Sequence, residues 1–295
     1  MPKSSKIIRK RIKSVASTKK ITRTMEMVAT SKLQKTQGKV VGSRPYTTTL
    51  GGLLSALAGA VGSLGNFPLF ERRDPTKKVL VLLITSNRGL CGGYNANLVR
   101  KAREHIAQLR ADGHDIVLHV TGKKGVAAMK YAGVAVDDAR IDLTDRPTYA
   151  EAEGVGAPLI RAFLDHEVDR VDVVYADFRS VSQQPPTAMT LLPLGASADA
   201  KPKDGAAKGE TTFLFEPDPQ AILEELAASY VKNVLYRMLL SAVASEQLAR
   251  RVAMKNATDN AGEMQRSLTR EYNKARQAQI TQEIAEIVGG AAALE

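Results

Sequence analysis

The run "VLVLLITSNRGLCGGYNANLVRKAREHIAQL", residues 79–109, decides the fold. Apolar residues 79–85 read as a strand, "SNRGLCGGYN" (86–95) as a glycine turn, and the following stretch as a helix. That order is the order of a nucleotide-binding site, so the loop must be tested for phosphate binding. A P-loop needs GxxxxGK[ST], in which backbone amides and a lysine hold the phosphates. Here Gly89, Gly92 and Gly93 are followed by Tyr94 and Asn95, with no lysine. A dinucleotide fingerprint needs GxGxxG and an acid closing the second strand, yet "HVTGKKG" follows "DIVL" without a carboxylate. The glycines therefore read as a tight strand-to-helix turn, and "TGKKG" (121–125) as a helix start.

Outward from this unit the same alternation continues. Residues 115–120, 171–178 and 187–194 are further strand candidates, with helices predicted near 95–110, 121–132 and 149–167. The expectation is an α/β domain of Rossmann-like topology over residues 75–195. Residues 195–210, "GASADAKPKDGAAKGE", carry no apolar period and read as a flexible loop, with a connection running to 216.

Both ends of the chain read as long helices. Asp218 can cap and Pro219 fits the first position of a helix that runs from Gln220 to about Val288 without another proline. Leu223, Leu226, Tyr230, Val234 and Met238 recur at three and four, as do Ile280, Ile284 and Ile287. At the other end, Ile8, Ile12, Val15, Ile21, Met25 and Val28 form a drifting apolar stripe. Two striped helices bury those stripes most simply against each other. The segments 1–65 and 217–295 are thus predicted to form an antiparallel coiled coil with the α/β domain inserted between its strands.

Charge is uneven. Residues 1–39 hold twelve Lys or Arg against Glu26 alone, so the formal charge of +11 resides there and the remainder balances. Such a field implies an acidic partner: nucleic acid, anionic lipid or an acidic protein surface. The apolar stripe marks this segment as a retained helix rather than a cleaved transit peptide. Residues 45–70 lack any charge, but four glycines interrupt the dense apolar part at 50–64, which suits a buried helix end better than a membrane span.

Catalytic constellations are missing. Cys91 is the only cysteine and has no evident histidine partner, and His105, His114, His119 and His166 are scattered, so no metal or cofactor is expected. No GxSxG is present, and Asp137 with Asp138 or Glu224 with Glu225 lie in ordinary solvated contexts.

Three stretches carry a family resemblance. "KITRTMEMVATSKLQK" (20–35), "SNRGLCGGYNANL" (86–98) and "VAMKNATDNAGEM" (252–264) with "YNKARQAQITQEIAEIVGGAAAL" (272–294) resemble the γ subunits of F-type ATP synthases. The resemblance implies a non-catalytic rotor: a coiled coil that penetrates a hexamer of α and catalytic β subunits, while the central domain meets the ε subunit and the ring of c subunits. Proton flow would turn the shaft, and ATP chemistry would remain on β. It further implies that Arg250, Gln277 and Thr281, with Met25 nearby, contact loops of β, and that Cys91 lies close to an acidic segment of β to which Arg88 offers charge. Asn87 stands where the family usually has aspartate, and Arg251 where methionine is common. The implied setting is the cytoplasmic side of a bacterial inner membrane, reached indirectly through the c-ring. Two other classes fare worse. With 5% aromatic residues a base-stacking nucleic-acid reader has little support, and an α/β nucleotide enzyme fails at the glycine loop.

Overall fold

The computed structural model describes residues 5–61, 67–195 and 219–292. The expected flexible stretch from 196 onward and the Asp218 cap lie outside them. Helix α1 (Ser5–Val61) is followed by a short 3-10 turn (Pro68–Phe70), then β1 (Lys78–Ile84), α2 (Tyr94–Ala111), β2 (Asp115–Thr121) and α3 (Lys123–Tyr131). The chain continues through β3 (Asp138–Arg140), α4 (Tyr149–Leu164), β4 (Arg170–Ala176) and β5 (Pro186–Leu192) to α5 (Pro219–Ala292). It divides into two compact units, Ser31–Ala249 and Met1–Thr30 with Arg250–Glu295. Both long helices contribute to each unit.

In the first unit the strands order β3-β2-β1-β4-β5, parallel except for β5, which pairs antiparallel with β4. Side chains alternate along β1, so each face of the central strand needs its own cover. Val79, Val81 and Leu83 pack against Leu98, Ala102, Ile106 and Leu109 of α2 and Met129 of α3. Leu80, Leu82 and Ile84 face the other way, into a core shared with Leu159 and Phe163 of α4 and Leu223 and Leu235 of α5. The strand β3 escapes a periodicity search because its three residues, Asp-Ala-Arg, include no buried side chain.

Local chemistry sets the α4 boundaries. Thr148 accepts the Glu151 amide while the Glu151 carboxylate accepts the Thr148 amide, a reciprocal capping box. At the other end Arg73 donates to the carbonyls of Phe163 (2.7 Å), in the last turn of α4, and of Val168 (2.6 Å), in the connection to β4.

Helix α5 is buried almost all round between residues 231 and 250, as expected of a helix enclosed on every side. Leu240, Ala244 and Leu248 pack with Leu33 and Val40 of α1, and Gly51 of α1 lies against the Tyr230 ring. Position numbers rise along α1 as they fall along α5, so the pair is antiparallel. The α1 helix runs through Pro45 to Val61, and no described helix is long and apolar enough to cross a membrane.

The second unit has the same antiparallel arrangement. Ser5 meets Gln279, Lys19 lies beside Gly262, and the Thr22 and Thr258 hydroxyls are 2.8 Å apart in a buried seam. This seam differs from the stripe predicted for α1. Ile21 and Val28 are 57% and 49% exposed, while Thr22 and Ala29 are buried. The buried positions Ile8, Thr22, Ala29, Thr36, Leu50 and Leu57 fall at multiples of seven, and Leu33, Val40, Thr47 and Leu54 form the companion series. That is a heptad seam in which threonine and alanine hold several core positions, and a search for large apolar side chains drifts off it. Ile280, Ile284 and Ile287 also depart from expectation: they are 46%, 56% and 71% exposed instead of packed on α1. Ser5, the first described residue of α1, meets Gln279, so these isoleucines lie at or beyond the level of the first described turn of α1.

Candidate functional site

The loop between β1 and α2 is filled by its own side chains. Ser86 donates from Oγ to the Arg88 carbonyl (2.6 Å), and Asn95 accepts the Ser86 amide at Oδ1 while its Nδ2 donates to Ser86 Oγ. The neighbouring helix start is equally occupied. The amides of Lys123, Lys124 and Gly125 donate to Asn87 Oδ1, the Ser86 carbonyl and Thr85 Oγ1. A phosphate needs free amides at a helix N-terminus, and these three have protein acceptors already. Among the described residues no group of three or more His, Cys, Asp or Glu is placed to hold a metal.

The loop is fastened to its surroundings by side-chain hydrogen bonds. Tyr94 donates its hydroxyl to the Ala242 carbonyl of α5 (3.0 Å), fastening the loop base to the long helix. Asn87 donates from Nδ2 to the Leu143 carbonyl (2.9 Å) while accepting from Lys123, so it uses both ends of its amide. An aspartate could fill only the acceptor half when ionised. Asn87→Asp is therefore expected to destabilise by about 1–2 kcal/mol at pH 7, because a carboxylate oxygen would face the Leu143 carbonyl. The cost relative to wild type should shrink toward pH 4, where a protonated carboxyl can donate again; urea midpoints of both proteins at the two pH values measure it.

The sequence-selected residues fall into both units. Within Ser31–Ala249, Arg88 has a side chain 71% exposed, 3.8 Å from Asp145, which Lys32 of α1 holds at 2.6 Å. Cys91, by contrast, is 2% exposed, with its Sγ turned in toward Asn95 Nδ2 at 3.2 Å. The thiol therefore fills the loop interior, and the neighbouring Leu90, at φ +61°, is the residue turned outward. Leu90 is 62% exposed, and sequence reasoning passed over it. The only available signal was an apolar residue inside a glycine turn.

In the other unit Met25 is half-buried and Arg250 is 8% exposed, so the arginine is a seam residue more than a projecting one. Gln277 and Thr281 stand exposed one turn apart, with the Thr281 hydroxyl returned to the Gln277 carbonyl at 2.9 Å. From residue 276 to 289 every described side chain is exposed, including Ile280, Ile284, Ile287 and Val288.

Comparisons with known proteins agree along the chain. A family model described as ATP synthase matches residues 4–294. The ATP synthase gamma chain of Gemmatimonas aurantiaca is 45% identical over 98% of both chains. That of Leptospira biflexa is 41% identical over 97% of this chain and 98% of its own. Among solved structures, a chain of the Euglena gracilis mitochondrial ATP synthase (OSCP/F1/c-ring) gives a TM-score of 0.67 at 19% identity, covering 99% of this chain and 94% of that one. A chain of the rotor from the same organism gives 0.64. At such identities the structures speak for the fold, and the sequence relatives speak for the family.

Proposed function

Since this chain belongs to the ATP synthase γ chain family, we infer that it is the central-stalk rotor subunit, a non-catalytic part that couples ion flow to ATP synthesis on its partners. Its partners are the α and β subunits and the c-ring, with the ε subunit at the central domain. A rotor performs coupling by making different contacts in different orientations, so that each angle favours a different conformation of each catalytic site. What supports this reading on the molecule is the end of α5, whose apolar stripe and adjacent polar pair, Gln277 and Thr281, have no cover among the described residues.

The contact surface to β comprises Met25, Arg250, Gln277 and Thr281 on the coiled coil and Arg88 on the loop, with Cys91 acting through loop shape. Arginine supplies a directional fork to carboxylates, and contacts that must form and break at each step are better few and charge-assisted than broad and apolar. The segments 1–65 and 217–295 serve as shaft, and 75–195 as the domain that meets the ring and ε. As part of a membrane-bound complex, the subunit attaches through the c-ring to the cytoplasmic face of a bacterial inner membrane.

Native mass spectrometry of the detergent-solubilised complex carrying a tagged copy tests the assignment. One copy with three each of two larger nucleotide-binding subunits is the expected composition, and recovery of the chain alone or with nucleic acid contradicts it. In that complex Gln277→Ala with Thr281→Ala removes two polar contacts of about 1 kcal/mol each. ATP-driven proton pumping per ATP hydrolysed should fall by about tenfold or more, with assembly intact.

A further inference from the structure

Overall charge conceals a second basic surface. Four residues of α2 (Arg100, Lys101, Arg103, Arg110) and three of α3 (Lys123, Lys124, Lys130) are cationic, against Glu104 alone. The chain beyond residue 39 is neutral in sum, so this concentration is visible only once the two helices are seen side by side on one face of the sheet. Six of the seven cations are exposed, and Lys101 is half-buried.

Between the helices lies an open groove of about 720 Å³. Alanines 96 and 107 of α2 and 128 of α3 line it together with Arg100, Arg103 and Lys124, and its one acid, Glu104, lies 3.9 Å from Arg100, leaving three cations against one carboxylate. Tyr131, at the C-terminal end of α3, also lines it and is 96% exposed, an aromatic ring left in water. The lining stretch of α2 spans residues 95–107, which at 1.5 Å per residue is about 18 Å, or about three turns of a helix laid alongside.

We propose that this groove is a docking site for an acidic amphipathic helix of a partner protein. Carboxylates along such a helix would pair with Arg103, Lys124 and their neighbours, its small apolar face would rest on the alanines, and Tyr131 would cover one end. Charge complementarity selects an anion, and the small apolar side chains between the cations select its class. A nucleic-acid backbone gains nothing from an alanine floor, and stacking of successive bases requires more than one ring. A lipid surface is entered by several projecting bulky residues, and of the residues lining this groove Tyr131 is the one large apolar side chain that is exposed.

The test is fluorescence anisotropy on the full chain with a labelled 18-residue peptide carrying Glu on one helical face and Ala and Leu on the other. Binding is expected to weaken at least tenfold on the double change Arg103→Glu with Lys124→Glu, and severalfold on Tyr131→Ala. A scrambled peptide of the same composition, which loses the apolar face, should bind at least tenfold more weakly. Equal binding of the scrambled peptide overturns the proposal, since charge alone would then explain it. So does tighter binding of a 20-nucleotide single strand or of phosphatidylglycerol vesicles that is lost with the same substitutions. Thermal melts of the variants, whose changed residues are exposed, should match wild type and establish that the fold is kept. The assay needs no assembled complex, so its outcome is independent of the rotor assignment.

Discussion

Gly122→Ala is expected to lower stability by about 3–5 kcal/mol, combining backbone strain with a steric clash. Gly122 ends β2 and precedes α3 with φ +94°, a conformation that side chains disfavour. A Cβ there would lie 2.4 Å from the Thr85 carbonyl oxygen and 2.7 Å from its hydroxyl. Neither can move cheaply. The Thr85 amide and hydroxyl both donate to the Thr121 carbonyl, at 2.9 and 2.6 Å, and the hydroxyl also accepts the Gly125 amide. At roughly 2–4 °C per kcal/mol for a domain of this size, the melting temperature should drop by about 10 °C. Gly133→Ala is the control: φ is +71°, but nothing lies within 4 Å of its Cβ position, so only the strain of about 1–2 kcal/mol applies. Equal losses at the two sites would show that the clash with Thr85 is not what matters.

Asp172→Ala should cost about 2–4 kcal/mol, because it strands partners arranged around a fully buried carboxylate. Oδ1 accepts from Arg170 Nε and Thr190 Oγ1, each at 2.8 Å, and Oδ2 lies 2.8 Å from His105 Nε2. The figure sits below the full cost of breaking a buried pair because the Arg170 side chain is 33% exposed and keeps part of its hydration. Burial pushes the Asp172 carboxyl up, but the hydrogen bonds from His105, Arg170 and Thr190 and the Arg170 charge outweigh it, leaving the group below its ordinary value. A folded-state value lowered in this way favours the native state at pH above the unfolded carboxylate range, about 4, and that contribution fades as pH falls through the folded value. Wild-type stability should therefore decline below about pH 4 more steeply than that of Asp172→Ala. Urea midpoints between pH 6 and pH 3 measure both slopes; parallel curves would assign the acid sensitivity to other carboxylates.

The α/β unit was legible because its signals are local. Four strands stood out as apolar runs with helices between them, while the Thr148 capping box that starts α4 emerged only from the structure. The short β3 was not, since Asp138 to Arg140 join the sheet through backbone pairing with His119 to Thr121 and bury nothing of their own. The exposure of the proposed contact residues was not legible: Arg88, Gln277 and Thr281 are exposed, whereas Cys91 and Arg250 are buried, because a residue's identity does not tell which way a turn or a seam will orient it.

Composition, periodicity and turn chemistry by themselves determined that this chain has two long terminal helices with an α/β domain inserted between them in sequence, and that its glycine loop lacks the residues to hold a nucleotide. These properties depend on a few adjacent residues and the spacing between them. Tertiary structure alone decided which heptad positions form the seam, where Thr22 and Ala29 take places that Ile21 and Val28 seemed to claim. It also decided that the isoleucines at the end of α5 remain bare, and that seven cations from two helices share one face. Those outcomes depend on helix register and on which elements lie side by side, both of which are set by packing between residues far apart in the chain.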